Sequence, residues 1–105
     1  MPTTSNYPIQ SRDEFRRLVQ ETAAKLAPLA ASMPNYPPFV SIAQQLEAML
    51  EWTEADRSPT MSQRDSINIG LLTARELDDD QDPHIQDLCN RFHAIHAYWK
   101  RIPPI

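Results

Sequence analysis

A single glycine stands in a chain of 105 residues, against ten prolines. Folds made of many tight turns need residues that accept positive φ, so this scarcity disfavours an all-β architecture. The prolines gather at the chain ends and between apolar segments, where they can punctuate helices. The length suits one domain with a modest core.

Apolar spacing divides the chain into four helices. Residues 1–10 are polar, carry two prolines and show no periodicity, so they are expected to form a mobile tail ahead of a single helical domain at 11–102. Ser11 and Glu14 make a capping box, and the first helix is predicted over 12–33. Its stripe is Phe15, Leu18, Val19, Thr22, Leu26, Leu29 and Met33, with Pro28 expected to bend or split it. After "PNYPPF" a second helix is predicted from Pro37 to Ala55, with Phe39, Ile42, Ala43, Leu46, Met49, Leu50 and Thr53 inward. A third is predicted over Ser62–Asp79, its stripe being Ile67, Gly70, Leu71, Ala74 and Leu77. Ile69 and Leu72 fall on the opposite side of that helix. Asp82 and Pro83 are N-cap and first residue of a fourth helix, predicted to run to Arg101, with Ile85, Leu88, Phe92, Ile95, Trp99 and Ile102 inward. The expectation is an all-α antiparallel bundle of about four helices.

Charge narrows the partners. The net charge is −4 and the pI about 5.2, unlike a module with a basic face for nucleic acid. No apolar run reaches the ~18 residues of a membrane span, and the first residues lack a secretory leader pattern. One cysteine, Cys89, excludes an internal disulfide. Together these features point to the cytoplasm.

Catalysis finds little support. Cys89, His93 and His96 recur at i, i+4 and i+7, a spacing that can gather zinc-ligand types. No CxxC or HExxH motif accompanies them, and Cys89 borders an apolar stripe where a thiol is inert. One glycine cannot build a glycine-rich phosphate loop. No metal and no cofactor are implied.

Two features need reasons. Gly70 costs about 1 kcal/mol relative to alanine inside a helix, and close approach of a neighbouring helix is the simplest explanation. Asp78, Asp79 and Asp80 close the third helix, where negative charge opposes the macrodipole, and they have no evident structural task. An acidic edge of this kind suits a basic partner surface. Tyr36 and Trp52 lie off the apolar stripes, either packed on loops or serving as interface anchors.

The stretches "IAQQLEAML" and "INIGLLTARELDDDQDPHIQDLCNRFHAI" resemble the small helical immunity proteins of type VI secretion. Gln45, Leu46 and Glu47 carry the likeness, with Asn68, Ile69 and Gly70, then Ala74 and Glu76, then Asp82 and Pro83. It covers about residues 36–100 and not the N-terminal tail. The resemblance implies an antiparallel helical fold and no enzymatic activity. It also implies a one-to-one complex with a cognate effector toxin, in the best-known case an NAD(P)+ glycohydrolase whose active site is blocked. Glu76 and Asp82 match the family's acidic positions, and Asp79 and Asp80 extend that edge. These four residues, with Trp52 as an aromatic anchor, are the expected toxin contacts. The alternative is a self-associating helical adaptor or regulatory protein, for which a homodimer through Ile69 and Leu72 is the expected form.

Overall fold

Ser11 starts the first helix as its sequence context demands. Its hydroxyl accepts the Glu14 N–H at 3.1 Å, and the Glu14 carboxylate reaches back to the Gln10 N–H at 3.0 Å. The computed structural model describes residues 7–105. Within them α1 spans Arg12–Ser32 and buries Phe15, Leu18, Val19, Thr22 and Leu26. It does not split at Pro28, which lies on the exposed side.

Helix α2 spans Pro37–Trp52, with proline in its first turn, and buries Phe39, Ile42, Leu46 and Met49. It stops three residues short of the predicted end, ahead of left-handed backbone at Ala55 and Asp56, and side chains satisfy its last carbonyls. The Thr53 hydroxyl donates to Met49 O at 2.7 Å, Arg16 to Leu50 O at 2.8 Å, and Arg57 to Glu51 O at 2.9 Å. A 3-10 turn at Glu54–Asp56 follows, in which Ala55 adopts the left-handed φ of 55°.

The predicted third helix is two helices. α3 spans Met61–Ser66, opened by a capping box between Thr60 and Gln63, and α4 spans Ile69–Glu76. The break at Ile67 and Asn68 restarts the helical phase, so the predicted stripe does not hold. Ile69 and Thr73 face the core, Ile67 and Leu77 are buried outside the helix proper, and Leu71 is 55 % exposed. Ala74 is exposed as well. Gly70 is therefore the second residue of a helix, not its middle.

Helix α5 spans Pro83–Trp99. Its predicted stripe is the buried one: Ile85, Leu88, Phe92, Ile95, Trp99 and, just beyond its end, Ile102. Asp82 caps it, its carboxylate accepting the His84 N–H at 2.8 Å.

The helices close a ring in which α1 packs on α2 and α5, and α4 packs on α5 and α2. Each neighbour is antiparallel, as cross-contacts from Arg16 to Leu50, Tyr36 to Glu76, His93 to Asp78 and Phe15 to Trp99 require. This is the expected all-α bundle, with α3 outside the ring of four; no strand occurs among the described residues. The fully buried Trp99 is its largest core residue, and its indole N–H donates to Arg64 O at 3.0 Å. No helix of the described residues is long and apolar enough to cross a membrane.

Residues 1–6 of the expected tail lie outside the described residues. Tyr7 and Ile9 pack against the core, and the Tyr7 hydroxyl donates to the Asp87 carboxylate. The Arg91 guanidinium sits over the Tyr7 ring at 4.4 Å and donates to Asp87 at 2.9 Å. Burial raises the Asp87 pKa, but hydrogen bonds from Tyr7 and Arg91 and the charges of Arg91 and Lys25 bring it below its ordinary value.

Candidate functional site

The turn between α4 and α5 is anchored by buried Leu77. The N–H groups of Leu77 and Asp78 both donate to Thr73 O, at 3.0 and 2.9 Å, and Asp80 N–H donates to Leu77 O at 3.0 Å. This backbone holds four aspartates outward.

Two of the three aspartates without an evident task have one. The Asp78 carboxylate pairs with His93 Nε2 at 3.0 Å, tying the turn to α5. The Asp80 carboxylate accepts the Asp82 N–H at 2.8 Å and orders the approach to the cap. Asp82 is engaged as the cap itself. Asp79 is different: it is exposed, and among the described residues no hydrogen bond or ion pair holds its carboxylate. Glu76 is likewise exposed one turn earlier.

Beside Glu76 lies an apolar groove of about 400 Å³, lined by Tyr36, Pro37, Pro38, Ser41, Leu72 and Glu76. The Tyr36 hydroxyl donates to the Glu76 carbonyl at 3.3 Å, and its ring stands edge-on to Phe39 with centroids 4.9 Å apart. Burial raises the Tyr36 phenol pKa, and the carboxylates of Glu76 and Asp80 raise it further. Sequence reasoning picked out Tyr36 as off-stripe but did not join it to Glu76. The missed signal was positional, a tyrosine just before two helix-starting prolines.

Trp52 is not part of this edge. It lies at the far end of α2 from Tyr36, about 24 Å along a 16-residue helix. It is half-buried and tilted against Trp99, with centroids 6.3 Å apart. The self-association face also changes, because Ile69 is fully buried and cannot present itself to a second copy.

Cys89, His93 and His96 are drawn into separate tasks. Burial, then the nearby carboxylates of Asp78 and Asp80, push the Cys89 thiol up to about 12, which removes nucleophilic thiolate at neutral pH. His93 pairs with Asp78, while His96 Nδ1 accepts the Gly70 N–H at 2.7 Å. A Cβ on Gly70 would meet His96 Cγ and Nδ1 at 3.1 Å, so the glycine permits close approach of α4 to α5. No group of three or more His, Cys, Asp or Glu residues is placed to hold a metal among the described residues.

Charge is concentrated at this corner. Residues 76–82 contain five acids and no Lys or Arg, while the rest of the chain holds nine acids and ten bases. The whole net negative charge thus originates in one turn. At the opposite end of the bundle, Arg12, Arg16, Arg57 and Arg64 donate to backbone carbonyls.

A family model described as Tsi6 matches residues 10–101. Neither the curated proteins nor the solved structures gave a match to the chain.

Proposed function

Because the chain belongs to the Tsi6 family, the immunity proteins of type VI secretion, we propose that it binds one cognate effector one-to-one in the cytoplasm and blocks its active site, and that this effector is an NAD(P)+ glycohydrolase. The family is one of immunity proteins and not of catalysts. An inhibitor of this kind needs a rigid body and a specific surface, with no chemistry of its own.

The acidic turn is the proposed contact surface, and the concentration of the chain's net charge in residues 76–82 is the observation that carries it. Complementary charge steers encounter and excludes wrong partners. Asp79 and Glu76 make the central contacts, since their carboxylates face solvent without a structural task. Asp80 and Asp82 add field while ordering the turn. Trp52 joins the interface only where the partner covers the length of α2.

Growth of cells producing the cognate effector, with and without this chain, tests the proposal. Co-expression is expected to rescue growth and preserve cellular NAD+. Equal killing in both cases rejects it, and rescue without any prior fall in NAD+ rejects the glycohydrolase assignment alone.

A further inference from the structure

We propose that the groove beside the acidic turn is a socket for an arginine side chain of the partner, with Tyr36 and Leu72 as its walls and the Glu76 carboxylate at its end. This rests on the immunity reading, which supplies the partner.

The groove has two characters at once. Tyr36, Pro37, Pro38 and Leu72 offer carbon, while Glu76, an exposed acid, lines the same groove. Asp80 adds a second negative charge within electrostatic reach of the Tyr36 hydroxyl. A purely apolar side chain would cover Glu76 and strip its water without replacing the charge, which is unfavourable. An acidic side chain would be repelled. The occupant must therefore be a long side chain with an apolar stem and a cationic tip.

Arginine meets this better than lysine. Its planar guanidinium stacks on an aromatic face and binds a carboxylate through two parallel hydrogen bonds, whereas an ammonium is a compact and strongly hydrated charge. The walls are held before binding. Tyr36 is fixed by its edge contact with Phe39 and its hydrogen bond to Glu76 O, and two prolines restrict the backbone beside it. Little ordering then remains to oppose association. Tyrosine and arginine are also the residue types enriched where interfaces concentrate their affinity.

The test is calorimetric binding of the full-length chain to the toxin domain of the effector whose killing it suppresses. Glu76→Gln, an exposed and nearly isosteric change, is expected to weaken binding about tenfold to a hundredfold through loss of one charged pair. Tyr36→Ala is expected to weaken it at least about tenfold, with a melting curve to check the fold. Replacing the toxin's surface arginines and lysines singly by methionine, in cycles with Glu76→Gln, is expected to reveal coupling at one arginine. Wild-type affinity in Glu76→Gln overturns the socket and leaves the immunity reading standing. Coupling at a lysine overturns the choice of arginine. A wild-type chain that neither binds nor protects overturns the immunity reading and the socket with it.

Discussion

Gln45 on α2 and Asn68 at the start of α4 clasp each other through two hydrogen bonds. The Gln45 carbonyl oxygen accepts the Asn68 backbone N–H at 2.8 Å, and its amide donates to the Asn68 side-chain oxygen at 2.6 Å. The clasp sits at the break that separates α3 from α4, so it fixes where the second of these helices begins. Gln45→Ala is expected to destabilise the fold by about 1 kcal/mol, with water replacing part of what is lost. Urea denaturation measures this, and an unchanged midpoint would show that the break holds itself.

Gly70 sets the distance between α4 and α5. In Gly70→Ala the gain in helix propensity, at most about 1 kcal/mol, offsets a tight contact with the His96 ring. Gly70→Val has no such balance, since its branched side chain meets the same ring. We expect a cost of about 1–3 kcal/mol for valine and a change below about 1 kcal/mol for alanine. Equal stabilities for the two variants would remove close packing as the reason for the glycine.

The His96 contact also predicts a pH dependence. Burial, then the charges of Lys100 and His93, lowers the His96 pKa below its ordinary value of 6.5. Its Nδ1 accepts a hydrogen bond from Gly70, so the fold requires that nitrogen to be unprotonated. The unfolded chain binds this proton more readily than the fold does. The contribution to stability is therefore complete above pH 6.5 and is lost as pH falls through the lowered folded value. Denaturation midpoints at about pH 7.5 and about pH 5.5 should differ in the wild type and differ less in His96→Gln. Identical pH profiles in the two proteins would exclude His96 as the source. Asp87, whose folded pKa is lowered from 3.8, contributes a separate loss in more acid solution.

Ala55 occupies a left-handed conformation, with φ 55° and ψ 40°, where the Cβ approaches its own backbone. Ala55→Gly relieves that crowding, and the greater freedom of glycine in the unfolded chain cancels part of the gain. The expected net result is stabilisation of about 0.5–1 kcal/mol, read as a higher melting temperature. A lower melting temperature would mean that the turn carries no strain at this residue.

Charge reversal separates steering from packing at the acidic turn. Asp79→Lys changes a carboxylate without a structural partner, so the fold should be unaffected. Association with the effector is expected to slow several-fold at low salt and much less at high salt, with dissociation little changed. Asp80→Asn serves as the comparison, because that side chain also orders the Asp82 backbone. An association rate for Asp79→Lys equal to wild type at every salt concentration would take this turn out of the encounter.

The bundle was legible because its strongest signals are local. Ser11, Pro37, Pro38, Asp82 and Pro83 mark helix starts through backbone chemistry that tertiary contacts do not change, and the α5 stripe needs only uninterrupted periodicity. Where periodicity was interrupted, the expectation failed. The side-chain pair that fixes the break after Ser66 joins residues 23 positions apart, so no window along the chain contains its cause. As a result Gly70, Leu71 and Ala74 were expected inward, whereas Ile69 and Thr73 are the buried positions of α4. Thr60 and Gln63 were legible as a capping box and would have placed the start of α3. The acidic edge was visible as composition. The tasks of Asp78 and Asp80 within it depend on His93 and on the geometry of the turn, which composition does not contain.

A body whose net negative charge comes from one corner, the remaining nine acids and ten bases nearly cancelling in sum, is an electric dipole. In the field of a basic surface it experiences a torque as well as an attraction. It therefore rotates while it diffuses, and the α4–α5 corner turns forward before any side chain touches. The search for a productive orientation, which slows most protein pairs far below the collision rate, is thereby narrowed to a cone around one helix junction. On the proposed immunity reading, in which the target must be reached before it acts, that gain is in time and not in affinity.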